Sequence, residues 1–278
     1  MEMEPTAREA VIFLNTQMMI VLVLNFIISL IGTLAYSVRL VGVRTGKIAL
    51  SFALFNVLTL ISRVAVTFQA PLLTKHVAKN AGSEELSRVF FILIMISGIA
   101  TIAGAFLIPT FQRMLSKGVE AFSVQRSMPK LLLHSFSKAG INHIKSSVSI
   151  PVTMNITKLD FRRMPKKTIV LNVLTVALIT SGAFSPIYAG SIEPDLSATC
   201  LSLSPIINGI ATVIMSIFID PKLSIMTDDV IEGKCSMEEF RTCVIGMVGS
   251  KTVGTFLALP LFLPASYVIA FVARFIPA

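Results

Sequence analysis

The stretch "QMMIVLVLNFIISLIGTLAYSVRLVGVRTGK", residues 17–47, is a long apolar run that ends in three cations. It holds no charged side chain before Arg39. About 20 mostly apolar residues are enough for a helix to cross a bilayer, and cations commonly mark its cytoplasmic end. The stretch therefore predicts a membrane-spanning helix that is followed by a cationic anchor made of Arg39, Arg44 and Lys47.

The composition of the whole chain agrees with a membrane protein. Of 278 residues, 54% are hydrophobic and only 14% are charged, whereas soluble domains carry about a quarter charged residues. The net charge of +9 comes from cations in short loops between apolar runs. Cations in such loops set the orientation of a protein in a membrane, so this explanation is favoured over binding of nucleic acid. The three cysteines and three histidines have no metal-ligand spacing, so we expect no cofactor.

Six apolar runs are long enough to span a membrane. They are roughly residues 17–38, 48–70, 89–109, 168–189, 198–219 and 253–275. The last boundary has an alternative, because Ser236 and Glu239 fit a capping box that would start a helix there and place Lys251 inside the membrane. Pro260 and Pro264 are expected to kink or break that helix, and Pro221 to mark the end of the fifth one at Asp220.

The distribution of Lys and Arg sets the orientation. The loops after the first, third and fifth runs hold 18 of them, and the opposite side holds 5, which places the long loop in the cytoplasm and both termini outside. Within that loop, apolar residues at helical spacing over 132–148 fit either a basic amphipathic helix on the inner leaflet or a solvated loop. We thus predict an all-α, polytopic integral membrane helix bundle of about six transmembrane helices, its N-terminus outside, with a long basic cytoplasmic loop. It forms a single transmembrane domain, 1–278, with the loop at about 110–167.

Polar residues inside the runs predict either close helix packing or a polar cleft. Arg63 is the cation inside a span, where a central Arg costs about 2.5–3.5 kcal/mol, and such residues usually face the bundle interior or water. It shares a helix face with Asn56, Thr59 and Thr67. Similar stripes comprise Asn25, Ser29, Gly32 or Thr33 and Tyr36 in the first run, and Ser204, Asn208, Thr212, Ser216 and Asp220 in the fifth. A cleft with Arg63 and Lys251 would suit a lipid with a phosphorylated head.

The acidic segment at 220–234 supports a second interpretation. Asp220, Asp228, Asp229 and Glu232 lie close together in sequence, and paired acids beside a membrane can hold Mg²⁺ for phosphoryl transfer. The motif of the membrane alcohol phosphotransferases, D-x-x-D-G with two later aspartates, does not occur. A Mg-dependent enzyme acting on lipid phosphates therefore stays the alternative to a transporter.

Several longer stretches resemble one known family. They are "TLAYSVRLVGVRTGKIALSFALFNVLTLISR" (33–63), "QAPLL" (69–73), "PIINGIAT" (205–212), "DPKLSIMTDDVIEGK" (220–234) and "GSKTVGTFLALPLFLPA" (249–265). Together they resemble the Amj family, the alternate lipid II flippases of Firmicutes. The resemblance implies a multi-pass protein of the bacterial plasma membrane that is no enzyme. Its partners would be membrane lipids and lipid II, the undecaprenyl-diphosphate-linked peptidoglycan precursor, which it would translocate; a transporter of another anionic amphiphile is the alternative.

The predicted site follows from the polar residues inside the apolar runs and from the resemblance to the Amj family. We expect Arg39 and Arg44 to attract the diphosphate at the cytoplasmic side, and Arg63 and Lys251 to hold it within the membrane. Hydrogen bonds to the head group are expected from Tyr36, Asn56 and Asn208. Asp220, Asp228 and Asp229 are predicted to gate the inner side by pairing with the loop cations.

Overall fold

Long helices make up the molecule in the computed structural model, which describes residues 16–79, 85–125 and 165–276. The helices are α1 (Thr16–Leu34), α2 (Val38–Thr45), α3 (Ile48–Lys79), α4 (Glu85–Gln125), α5 (Lys166–Ile192), α6 (Ser197–Ser202), α7 (Ser204–Ile214), α8 (Asp220–Ile231) and α9 (Met237–Ala273). Short 3₁₀ turns at Ala35–Ser37 and Pro194–Leu196 and a π-helical turn at Met215–Ile219 connect some of them. The described part of the chain contains no strand.

These helices form six stretches that are long and apolar enough to cross a membrane. The stretches are Thr16–Thr45, Ile48–Lys79, Leu86–Phe122, Lys166–Ile192, Pro194–Ile231 and Met237–Ala273. The prediction of an all-helical bundle with six spans is confirmed. Helices suit this environment because a bilayer offers no water to the backbone, so each N–H and C=O must pair within its own segment. The predicted amphipathic helix over 132–148 lies outside the described residues.

The sixth helix follows the longer of the two predicted alternatives. Ser236 Oγ accepts a hydrogen bond from the Glu239 backbone N–H at 3.1 Å, and the Glu239 carboxylate accepts one from the Ser236 backbone N–H at 3.3 Å. This capping box starts α9 and places Lys251 well inside the span. Pro260 and Pro264 lie within the helix and do not end it. A proline is tolerated in a transmembrane helix because neighbouring helices can satisfy the backbone groups that it leaves without partners.

The expectation that Pro221 ends the fifth span at Asp220 is wrong. The chain passes from α7 through the π-helical turn directly into α8, which begins at Asp220. Pro221 occupies the first turn of α8, where a proline is tolerated because the N–H at that position has no partner within the helix. The extra residue of the π turn adjusts the helix at this point without breaking it.

The spans pack as two groups of three. In the first group α1 packs against α3 and α4, and in the second α5 packs closely against α9 and α7. The α5–α9 approach depends on Gly254, because a Cβ atom there would stand 2.5 Å from the carbonyl oxygen of Val173. Contacts between α9 and α4 join the groups. At one end of the junction an aromatic cluster packs with ring centroids 5.2–6.1 Å apart; its members are Phe90, Phe184, Tyr188 and Phe262.

Candidate functional site: a cavity between the two helix groups

A cavity of about 600 Å³ lies between the two groups, and all six spans contribute to its wall. Most of the lining is apolar. Its polar members are Asn25, Ser29, Tyr36, Arg39, Ser62, Gln69, Ser97, Thr101, Asn172, Thr180, Asp220, Lys251 and Thr255. Among these described lining residues, only Arg39, Asp220 and Lys251 carry a charge. A mostly apolar wall with a few placed polar groups is typical of a site for an amphiphilic ligand.

Lys251 is the central cation of this cavity. Its ammonium lies over the ring of Tyr36, 5.9 Å from the ring centroid, and against Gly32, where an added Cβ atom would be 2.9 Å from Nζ. Glycine at position 32 therefore leaves room for the ammonium beside α1. No carboxylate of residues 16–79, 85–125 or 165–276 lies within ion-pairing distance of Lys251. A cation without a counter-ion in an apolar cavity suits an anionic ligand.

A hydrogen-bond network fixes the part of the cavity wall next to Lys251. The Tyr36 hydroxyl donates to Asn172 Oδ1 at 3.1 Å, and Asn172 Nδ2 donates to Ser250 Oγ at 2.7 Å and to the Met247 carbonyl at 3.2 Å. Asn172 is fully buried. The network joins the 3₁₀ turn after α1 to α5 and α9, so it holds the ring of Tyr36 and the start of the Lys251 side chain in place. Buried polar groups that are fully bonded in this way make a site rigid.

Arg39 and Asp220 face each other at one end of the cavity. Arg39 Nη2 is 3.9 Å from Asp220 Oδ1, Nη1 donates to Ser224 Oγ at 3.0 Å, and the guanidinium lies 5.3 Å from the centroid of Phe52. The side chain of Arg39 is 20% exposed and that of Asp220 is 52% exposed. The pair is long and half in solvent, so its contribution to stability is at most about 1 kcal/mol. It can therefore open readily to admit another anion.

Arg63 and Asn56 lie outside the cavity, on the exposed side of α3. Arg63 therefore does not face the bundle interior in this structure. Phe52 and Ala70 line the cavity, and Thr59 and Arg63 fall between them at helical intervals, so these residues follow one side of α3. Arg63 points outward and therefore lies at the edge of the cavity wall, beside the residues that line it.

The cavity is open to the side at this edge. Val66 and Ile179 both line it, yet they are 47% and 36% exposed. Among the described helices, α3 packs on α1, α2, α4 and lightly on α5, and it makes at most marginal contact with the span from α7 to α8. The opening therefore lies between α3 and the second group of helices, which contains α5, α7 and α9, and it faces the bilayer.

Asn208 belongs to a separate place in the molecule. Its Nδ2 donates to the Gly182 carbonyl at 3.3 Å and to Ser204 Oγ at 3.2 Å, and its side chain packs on Gly182 where α7 crosses α5. With Ser204, Thr212 and Ser216 it lines a shallow groove on the outer face of α7. Four members of the predicted stripe on the fifth span thus lie away from Lys251, and among them Asn208 contributes to helix packing. The fifth member, Asp220, lines the cavity beside Arg39.

The remaining predicted residues are spread along the Arg39 end. Arg44 and Asp228 are exposed, and Asp229 is half-buried at the end of α8. Nothing brings these two aspartates into an ion pair with Arg39 or Arg44 in the described part of the chain. Across the same described residues, no three His, Cys, Asp or Glu side chains come together in a way that would hold a metal ion.

Two buried amides that line the cavity were not predicted from the sequence. Gln69 falls outside the stripe of α3 that contains Asn56 and Arg63, and Asn172 was not singled out although Thr168 and Thr175 lie at helical spacing on its own face. The signal that would have found them is simpler. An amide inside a transmembrane segment is a candidate functional residue whether or not it has polar neighbours on the same face.

The comparisons with known proteins agree with this architecture. A family model described as "Amj: Alternate to MurJ" matches residues 24–273. The chain is 35% identical to the lipid II flippase Amj of Bacillus subtilis (strain 168) over 265 residues, which cover 94% of this chain and 98% of that protein. No solved structure matches. The match runs through all six spans, and the chain therefore belongs to the Amj family.

Proposed function

We propose that this protein is a lipid II flippase of the bacterial plasma membrane, which carries the precursor from the inner to the outer leaflet as a single transmembrane domain. The name of the Bacillus subtilis relative supports this proposal. The observation that carries it is the unpaired ammonium of Lys251 inside a largely apolar cavity. A translocated lipid needs a polar site for its head and an apolar surround for its tail, and the cavity offers both. Translocation, rather than chemistry on the lipid, is the activity that this site supports.

The charged residues define a path for the diphosphate. Along α1 and its extension, Gly32, beside Lys251, and Arg39 are seven residues apart, which is about 10 Å along a helix axis. In the orientation given by the charge rule, Arg39 is the cytoplasmic member. The diphosphate binds Arg39 first, where it replaces Asp220, and then moves to Lys251. Arg44 concentrates the anionic lipid at the mouth, and Asp220, Asp228 and Asp229 repel it when the mouth is to close.

The lateral opening provides the route for the lipid tail. The prenyl chain stays in the bilayer between α3 and the C-terminal helices while the head passes through the cavity. Arg63 and Asn56 border this opening, so they contact the head group as it enters sideways. Asn208 lies apart from this route, and we assign it a supporting role in holding α7 against α5.

Replacement of Lys251 by methionine tests the proposal. Lys251→Met keeps the length and apolar stem of the side chain but removes its charge, whereas Lys251→Arg retains the charge and is the matched control. In cells that have this protein as their sole flippase, we expect Lys251→Met to reduce labelled lipid II at the cell surface at least about tenfold at equal membrane levels. Lys251→Arg should retain a substantial part of it.

Three outcomes would contradict the proposal. Normal surface exposure of lipid II with Lys251→Met would exclude Lys251 as the diphosphate site. Absence of lipid II exposure with the unmodified protein, together with export of a different labelled amphiphile, would favour the alternative transporter. Turnover of a lipid phosphate by the purified protein with Mg²⁺ would favour the enzyme.

A further inference from the structure

The end of the cavity farthest from Arg39 carries neutral polar side chains. Asn25 is 3% exposed, and its Nδ2 donates to the Leu93 carbonyl at 2.7 Å and to Ser97 Oγ at 2.9 Å. Gln69, from α3, lines the same cavity. Its neighbour one turn along α3, Leu73, packs in the core cluster that contains Val21, one turn from Asn25 on α1. Since α1 and α3 are consecutive spans that run in opposite directions, Gln69 and Asn25 lie at the same depth.

Gln69 differs from the other polar groups at this end in having an unused donor. It is 7% exposed, and its Nε2 has no hydrogen-bond partner. Asn25 Nδ2, Ser97 and Thr101 are all bonded within the protein. Buried side-chain amides are normally satisfied, because leaving one unpaired costs free energy. An unpaired amide on a cavity wall therefore indicates a partner that arrives with a ligand.

The chemistry of that ligand follows from the lining. None of the described residues that line this end is charged, so the end suits an uncharged group that accepts a hydrogen bond. It lies about 10 Å from Lys251, which is the rise of the seven helical residues from Asn25 to Gly32. We propose that Gln69 donates to a hydroxyl or amide oxygen of the saccharide attached to the diphosphate. This rests on the proposed function, in which Lys251 holds the diphosphate itself.

The two sites predict different selectivity in two variants. Gln69→Leu has a similar volume and removes the amide, and Lys251→Met removes the cation. Binding of lipid II and of undecaprenyl diphosphate, which lacks the saccharide, would be measured with each purified variant in lipid nanodiscs. We expect Gln69→Leu to weaken binding of lipid II roughly five- to tenfold and to change binding of undecaprenyl diphosphate less than about twofold. Lys251→Met should weaken both.

The same measurements separate failure of this inference from failure of the proposed function. Equal losses for both lipids with Gln69→Leu, or no loss for either, would overturn the role of Gln69. Selective loss with Gln69→Leu but unchanged binding with Lys251→Met would retain Gln69 and overturn the assigned role of Lys251. Thermal unfolding provides the folding control, because Gln69→Leu should melt no lower than the unmodified protein if its amide is unpaired without lipid. An unmodified protein that binds neither lipid would overturn both.

Discussion

At the scale of single residues, Lys251 is defined by what surrounds it. Gly32 leaves space for the ammonium, Tyr36 offers a ring face 5.9 Å away, and no described carboxylate neutralises the charge. Attraction between charges is much stronger in an apolar cavity than in water. The same charge is costly there without an anion, so the site is poised for a ligand that brings one. Arg39 differs, because Asp220 and Ser224 already occupy its guanidinium.

Arg63 gives a prediction at this scale. Because it lies at the edge of the lateral opening and does not line the cavity, Arg63→Ala should slow access of the head group more than it weakens binding. We expect it to abolish rescue of flippase-depleted cells at normal membrane levels, while binding of lipid II by the purified variant stays within about twofold. Thr67→Ala, at an exposed position one turn along α3, is the control and should rescue. Full rescue by Arg63→Ala would remove Arg63 from the path.

At the scale of elements, the pairing of α5 with α9 positions the site. Asn172 on α5 and Lys251 on α9 can lie side by side in the cavity wall only because the two helices approach closely at Gly254. Small residues at such crossings let transmembrane helices pack without a hydrophobic driving force. The network from Tyr36 through Asn172 to Ser250 then fixes how the 3₁₀ turn after α1 packs on this pair. The geometry of the cation site is therefore a property of three helices rather than of one side chain.

A pair of glycine substitutions in α9 tests this close approach. A Cβ atom at Gly254 would stand 2.5 Å from the Val173 carbonyl oxygen, whereas one at Gly249 would meet nothing within 4 Å. Gly254→Ala should therefore destabilise the protein by about 1–3 kcal/mol through overpacking. Gly249→Ala should be neutral or stabilising by up to about 1 kcal/mol, because alanine favours the helix. Melting temperatures of the purified variants in detergent check this, and equal shifts for the two would contradict it.

At the scale of the whole molecule, two groups of three spans enclose a cavity that opens sideways. The aromatic cluster of Phe90, Phe184, Tyr188 and Phe262 closes the end away from Arg39. In the orientation set by the charge rule, this is the outer end. The cavity is therefore open to the side and closed at the end away from Arg39. We propose that transport involves movement of the two groups relative to each other around Lys251.

Cross-linking across the lateral opening tests this movement. Val66 on α3 and Ile179 on α5 are exposed residues that line the cavity at its lateral opening, so a short bifunctional thiol reagent acting on cysteines at these two positions would tie the two groups together. In a background with Cys235→Ser, which removes the least buried native cysteine, we expect the reagent to stop surface exposure of lipid II. Each single-cysteine variant should retain it after the same treatment. Undiminished transport by the cross-linked protein would exclude movement at this opening.

The sequence alone determined the class of the protein and the course of its helices. Six apolar runs are sufficient for six spans, because length and hydrophobicity alone decide whether a helix can cross a bilayer. Ser236 and Glu239 likewise indicated the alternative start of α9 that the structure has, because a capping box is a local interaction. The resemblance of the stretch at 33–63 and four others to the Amj family was confirmed by a match over residues 24–273.

Only the tertiary structure decided which polar groups face one another. Helical periodicity gave Arg63, Asn208 and Tyr36 equal standing, since it defines a face of a helix but not what that face meets. The packing of α5 on α9 brings Asn172 and Lys251 to Tyr36, and the placing of α3 turns Gln69 inward and leaves Arg63 at the edge. The site depends on crossings such as that at Gly254, and these are interactions between helices that no single segment of sequence contains.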